Sequence, residues 1–154
     1  MRISFLYRAV LPALFTCAVL VLAGCETMGS AWDSTKGFVT GSNVKLSGGE
    51  EVPPVTTTAS GSGWIKVKDD MSVSGSIKTT GIAGTAAHIH SGAPGKSGPV
   101  VITLTKGADG NAWSVPAGAK LTDAQYKEYK AGNLYVNVHS AAHKGGELRG
   151  QLKP

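Results

Sequence analysis

The four histidines of this 154-residue chain are confined to two short segments. His88 and His90 stand two residues apart in TAAHIHSG, and His139 and His143 lie in VNVHSAAHKGG. Side chains two apart in a β-strand point to the same face, so the imidazoles of the first pair are expected side by side. Neutral imidazole nitrogens suit copper, zinc and nickel. The spacing therefore predicts candidate metal ligands at these four histidines, with copper or zinc as the ion.

Other polar residues are expected close to these histidines. Asn137, Glu147 and Arg149 alternate with aliphatic residues, which predicts that they share the polar face of one hairpin. Glu147 is also an alternative metal ligand. The same residues, joined by Glu51 from the sequence Glu-Val-Pro-Pro, fit a second interpretation, a hydrogen-bonded structural cluster without metal. In that case Glu147 pairs with Arg149, or the two cap the Glu-Val-Pro-Pro corner through Glu51.

Nothing else in the sequence resembles catalysis. Ser91 and Ser140 each follow a histidine directly, but neighbouring residues of a strand point to opposite faces and make a poor nucleophile and base. The glycine-rich segment 92–98 lacks the strand-loop-helix context of a phosphate-binding loop. The sequence thus favours binding over an enzyme. Superoxide-dismutase-like chemistry at a His-x-His copper site is the alternative, although the mature chain lacks the disulfide of those enzymes.

Short strands are expected to position these residues. Residues 134–138 and 148–152 alternate aliphatic with polar side chains and predict a hairpin. A second hairpin is predicted around the turn residues Asp69 and Asp70. The nearly continuous apolar run of residues 100–105 predicts a buried central strand. The histidines would then lie on a sheet with one core face and one polar face.

One short helix is expected before the last hairpin. Thr122 and Gln125 have the spacing of a capping box, and Gly132 is a typical C-terminal stop, so the helix is predicted over 123–131. Many short strands, abundant glycine and a single helix indicate an all-β fold. The predicted architecture is an antiparallel Greek-key β-sandwich, immunoglobulin-like or superoxide-dismutase-like.

The N-terminal segment predicts export and membrane attachment. Arg2 and Arg8 precede an apolar run over 9–22, as in a secretory signal peptide. The sequence Leu-Ala-Gly-Cys that ends at Cys25 resembles the lipobox of bacterial lipoproteins. This resemblance implies that Cys25 is lipidated and holds the protein on a membrane of the cell envelope. Glu26, in place of the Asp that favours inner-membrane retention, favours the outer membrane facing the periplasm.

Composition fits one domain behind this leader. Residues 1–24 are predicted to be the signal peptide, 25–42 a flexible Gly/Ser/Thr-rich tether, and 43–154 the folded domain. The two cysteines are Cys17 and Cys25, which leaves no disulfide for the mature domain. The net charge of +5 is spread over isolated lysines, so a nucleic-acid partner has no support. The expected partners are the membrane, a metal ion or another envelope protein.

Four sequence blocks resemble one known family. They are LSGGEEVPPV, AHIHSGAPGKSGPVVITL, LTDAQYKEYKAGNLYVNVHS and GGELRGQL, which occur in this order between residues 46 and 152. They resemble the successive blocks of the CHRD domain, first described in chordin and common in bacterial secreted proteins. The resemblance covers nearly everything after the tether. It implies the fold and the family but no agreed biochemical activity, and the growth-factor binding of chordin does not transfer.

Overall fold

The structure of the protein is a computed structural model that describes residues 41–154. The predicted signal peptide, Cys25 and nearly all of the predicted tether lie outside the described residues. The described part contains nine strands, one α-helix and a short 3-10 turn. The elements are β1 (Ser42–Ser47), the 3-10 turn (Gly48–Glu50), β2 (Ser60–Val67), β3 (Val73–Thr80), β4 (Gly84–Ser91), β5 (Val100–Thr103), β6 (Thr105–Lys106), β7 (Ala112–Ser114), α1 (Asp123–Lys130), β8 (Leu134–Ser140) and β9 (Leu148–Gln151).

All strand pairs are antiparallel, and the strands form one sheet in the order β5-β4-β8-β9-β1-β2-β3-β7-β6. Both predicted hairpins are present, as the β2–β3 and β8–β9 pairs. The chain passes from β3 to β4 and from β7 to β8 without pairing those strands, as in Greek-key connections. The prediction of an antiparallel all-β sandwich with one helix is confirmed.

Residues 100–106 bring the two edges of the sheet together. β5 pairs with β4 at one edge and β6 pairs with β7 at the other, while the backbone N–H of Leu104 between them donates to the Ala87 carbonyl. The sheet is therefore nearly closed, which protects strand edges that would otherwise be exposed. The predicted buried central strand at residues 100–105 was wrong. β5 is an edge strand in which Val100 is 51% exposed, because an apolar run does not reveal how many neighbours a strand has.

The inward side chains of the sheet form a continuous apolar core. In β8 and β9, Val136, Val138 and Leu148 are wholly buried, as the alternation predicts. The helix α1 has the predicted capping box of Thr122 and Gln125, and it ends one residue earlier than expected. No helix within residues 41–154 is long and apolar enough to cross a membrane.

Candidate metal site

The two histidine-bearing strands are direct neighbours in the sheet. β4 and β8 pair antiparallel, with His88 opposite Asn137, His90 opposite Tyr135, and Ala86 opposite His139. Cross-strand partners in a sheet share a face, so the polar residues of both strands lie on the same side. The opposite side of the same strands carries core residues such as Ile89 and Val136. The polar faces of the two segments therefore meet.

His88, His90 and His139 come together on this polar side, and we call them the histidine cluster. One ligand nitrogen from each side chain lies within 4.8 Å of the others. Nδ1 of His88 and Nε2 of His139 are 2.9 Å apart and share a hydrogen bond. Nitrogen ligands around tetrahedral zinc stand roughly 3.4 Å apart, so an ion bound here would replace the His88–His139 hydrogen bond, and the most separated imidazoles would move closer together.

Backbone carbonyls select the nitrogen that two of these histidines present. Nδ1 of His90 lies 2.9 Å from the Gly98 carbonyl oxygen, and Nδ1 of His139 lies 2.9 Å from that of Lys144. A carbonyl only accepts, so each Nδ1 carries the proton and each Nε2 carries a lone pair, which in His139 accepts the hydrogen bond from Nδ1 of His88. Metal-ligating histidines are oriented in this way by their outer nitrogen. Nε2 of His90 is buried and has no hydrogen-bond partner among residues 41–154.

The surroundings of His88 and His90 favour neutral imidazole. Burial lowers the pKa of His88, and the neighbouring imidazoles of His139 and His90 lower it further because like charges repel. Burial is also the largest effect on His90 and lowers its pKa, although the Gly98 carbonyl acts in the opposite direction. Metal ions bind the neutral form, so both side chains are in the binding form at neutral pH.

Tyr135 and Arg149 support the buried side of the cluster. The His90 ring stacks on Tyr135 with centroids 5.0 Å apart and planes 7° from parallel. The guanidinium carbon of Arg149, on the strand at the other side of β8, lies 3.5 Å from the centre of the same ring. Arg149 is 2% exposed. Sequence reasoning did not single out Tyr135, although its alternation with Asn137 placed it on the polar face.

The loop between β4 and β5 covers this part of the polar face. Nη2 of Arg149 donates to the carbonyls of Ala93 and Lys96. The backbone N–H of Gly98 donates to the Tyr135 hydroxyl. These contacts fix the loop that supplies the carbonyl partner of His90. The predicted polar face is therefore largely buried, a fact that the pattern of one strand does not reveal.

His143 lies outside the histidine cluster. It follows β8 in the turn to β9, where the two-residue period of a strand no longer applies. Its backbone N–H donates to the Ser140 hydroxyl, and its backbone carbonyl accepts from Gly146. The structure therefore brings together three of the four predicted histidine ligands.

Glu147 also points away from the histidine cluster. Its carboxylate accepts hydrogen bonds from the Ser140 hydroxyl at 2.5 Å and from the Thr57 hydroxyl at 2.9 Å. The hydrogen bond from Ser140 is the main reason that the pKa of Glu147 lies below its usual value. Glu147 comes just before β9, so strand alternation does not set its direction. Glu147 and Arg149 therefore have separate partners and do not form the suggested ion pair.

Glu51, Asn137 and Arg149 extend the histidine cluster into the protein. All three are at least nine-tenths buried. Each has one buried atom without a hydrogen-bond partner in the described part of the chain, namely Oε1 of Glu51, Oδ1 of Asn137 and Nη1 of Arg149. Burial raises the pKa of Glu51, although a backbone hydrogen bond at Val52 and the charge of Arg149 act against it. Unsatisfied buried polar atoms are rare and call for a physical explanation.

The fold and this site define a class, an antiparallel β domain with a buried polar cluster on one face of its sheet. Residues 42–152 match the family profile of the CHRD domain, so the chain belongs to the CHRD domain family. This membership supports a structural or binding domain whose ligand is unassigned. No curated protein and no solved structure matches the chain.

Proposed function

We propose that this protein is a lipid-anchored envelope protein whose CHRD domain binds a transition-metal ion, Cu(II) or Zn(II), through His88, His90 and His139. The observation that carries the proposal is the state of His90. Its Nδ1 proton is held by the Gly98 carbonyl, and its Nε2 lone pair is buried beside two further imidazoles without a hydrogen-bond partner in residues 41–154. A metal ion would satisfy such a lone pair, and a buried acceptor left unpaired costs about 1–3 kcal/mol.

Calorimetric titration of the purified protein with Cu(II) and with Zn(II) tests the metal site. We expect one ion to bind per chain, and a His88→Ala/His90→Ala variant to lose that binding. His143→Ala is the matched control, because it removes an imidazole outside the histidine cluster and should leave the affinity unchanged. Absence of binding by the unchanged protein, or equal losses in both variants, would contradict the proposal. If the protein binds copper, its copper-loaded form is the one to assay for superoxide dismutation.

The proposed membrane attachment rests on the lipobox resemblance around Cys25. We expect the protein made in a bacterial host to fractionate with the outer membrane and to carry acyl chains on its N-terminal cysteine by mass spectrometry. Cys25→Ala should remove the acyl chains and prevent membrane attachment. Cys17→Ala is the matched control, since that residue lies in the part predicted to be cleaved. An unmodified Cys25 would refute the anchor without affecting the metal proposal.

A further inference from the structure

We propose that Asn137 is a fourth protein ligand of the same metal ion, through its side-chain oxygen Oδ1, and that Glu51 orients its amide. This inference rests on the proposed metal site. It changes the expected donor set from three nitrogens to three nitrogens and one oxygen. It also gives Asn137 and Glu51, which lie outside the histidine cluster, a role in metal binding.

Asn137 lies next to every member of the histidine cluster. It is the direct cross-strand partner of His88, and it stands two residues before His139 on the same face of β8. Its side chain also raises the pKa of His90, as a hydrogen-bond acceptor would, so the two side chains are close. A residue with these three neighbours lies at the base of the cluster, where an ion held by the imidazoles would meet its side chain.

The neighbours of Asn137 determine which end of its amide faces the histidines. Nδ2 of Asn137 and Oε1 of Glu51 both lie against Gly146, so closely that a Cβ on that glycine would be under 3.0 Å from each. A carboxylate attracts the NH2 group and repels the amide oxygen. Oε1 of Glu51 makes no hydrogen bond to Nδ2, so Glu51 acts through its charge, which favours Nδ2 on its own side and leaves Oδ1 for the histidine side. Gly146 has a φ of +134°, and the absence of a side chain there makes room for this arrangement.

Two lone-pair donors then face the same space from inside the protein. Oδ1 of Asn137 and Nε2 of His90 are both buried and lie on side chains that are close together, and neither atom makes a hydrogen bond of good geometry in residues 41–154. Two acceptors cannot satisfy each other, but both can bind a cation. His88 and His139 are only half-buried, so the opposite side of the ion is open to solvent. The arrangement thus provides a base of oxygen and nitrogen ligands and an outward coordination position for water or another small ligand.

This donor set favours Cu(II) over Cu(I). Soft thiolate and thioether ligands select Cu(I), whereas nitrogen and oxygen ligands in a tetragonal arrangement suit Cu(II). The structure places three imidazoles and one amide oxygen at the site, and the described residues contain no cysteine and only Met71 as a methionine, far along the chain on the β2–β3 turn. The ion bound by this protein should therefore be the oxidised form.

Electron paramagnetic resonance of the Cu(II)-loaded protein, together with Cu(II) titration, tests the inference. Asn137→Ala should change the Cu(II) spectrum and weaken binding roughly 10- to 100-fold. Asn137→Asp keeps the shape and supplies a charged oxygen ligand, so it should alter the Cu(II) spectrum, while repulsion from Glu51 offsets part of any gain in affinity. Asn133→Ala, the same substitution just before β8, is the matched control and should change neither quantity.

Glu51→Gln tests the role of Glu51 as a positioning residue. A glutamine presents either an oxygen or an NH2 group, so it no longer forces the orientation of the Asn137 amide. We expect the Cu(II) spectrum to show a mixture of two species. A residue with only a structural role would lower the unfolding temperature of the metal-free protein and leave the Cu(II) spectrum as it was.

The outcomes separate this inference from the proposed function. Suppose that the unchanged protein binds Cu(II), and that the Asn137→Ala and Asn137→Asp variants both have the same Cu(II) spectrum and affinity as the unchanged protein. The fourth ligand is then refuted and the three-histidine site stands. If the unchanged protein binds no Cu(II), both are refuted. Circular dichroism of each variant establishes folding, and should Asn137→Ala not fold, the isosteric Asn137→Asp variant decides by its spectrum alone.

Discussion

Two buried polar groups at neighbouring places on the β8–β9 hairpin differ in how completely they are hydrogen-bonded. The Glu147 cluster, consisting of Thr57, Ser140 and Glu147, is closed, because both carboxylate oxygens accept a hydroxyl hydrogen bond. The histidine cluster and the polar residues behind it keep buried nitrogen and oxygen atoms without partners in the described residues. A closed network stabilises the fold by itself, whereas an open one leaves buried atoms that a bound ion or water could satisfy. Substitutions in the Glu147 cluster should therefore mainly change stability, and substitutions in the histidine cluster should mainly change metal binding.

The largest effect is expected from breaking the Glu147 cluster. Glu147→Leu leaves the Ser140 and Thr57 hydroxyls without their acceptor, and we expect it to lower the free energy of unfolding by about 2–4 kcal/mol. Urea unfolding of the metal-free protein measures this loss. Glu50→Leu is the control, because Glu50 is exposed and the same substitution should change stability little. Weaker metal binding by a folded Glu147→Leu protein would show that the two clusters are not independent.

Metal binding should stabilise the protein through the histidine cluster. At a free Cu(II) concentration one hundred times the dissociation constant, the free energy of unfolding should rise by about 2.7 kcal/mol. Thermal unfolding with and without a chelator measures this increase. The His143→Ala protein should keep the increase and the His88→Ala/His90→Ala protein should lose it. An increase that persists in the double variant would place the metal elsewhere.

The pH dependence of the metal-free protein should also report on the histidine cluster. The folded-state pKa values of His88 and His90 lie below the ordinary value of 6.5, so the unfolded chain binds more protons in that range. Stability should therefore fall as the pH drops through 6.5 toward the folded-state values, and be fully present above 6.5. Urea unfolding at several pH values should show this slope, and the His88→Ala/His90→Ala variant should have a flatter profile. An equally steep profile in the variant would assign the slope to other groups.

The smallest effect separates the two buried glutamates. Hydrogen bonds lower the pKa of Glu147, so its ionised form stabilises the fold above the ordinary pKa of 4.5, and this contribution disappears as the pH falls below it. Burial raises the pKa of Glu51, so stability falls as the pH rises from the ordinary pKa of 4.5 to that higher value, above which the charge of Glu51 opposes folding in full. At neutral pH, Glu147→Gln should therefore destabilise the metal-free protein more than Glu51→Gln. Equal losses in the two variants would contradict the contrast between a closed and an open cluster.

Local sequence patterns predicted most of the elements because they depend on neighbouring residues. The capping box of Thr122 and Gln125 and the alternation in residues 134–138 gave the correct helix and strand. The prediction failed at residues 100–105, since the number of neighbours of a strand depends on the whole sheet. The sequence patterns also did not predict that the loop between β4 and β5 covers Tyr135 and Arg149, because these contacts join residues far apart in the chain.

The sequence by itself determined that His88 and His90 share a face, because a strand has a two-residue period. It also determined the CHRD family, through blocks that span residues 46–152. Only the tertiary structure decided that β4 pairs with β8 in the register that brings His139 to this pair and Asn137 beneath it. The same packing directed His143 and Glu147 elsewhere and buried Arg149 under a loop. Register and burial arise from closing the whole sheet around its core, so no single segment of the chain contains them.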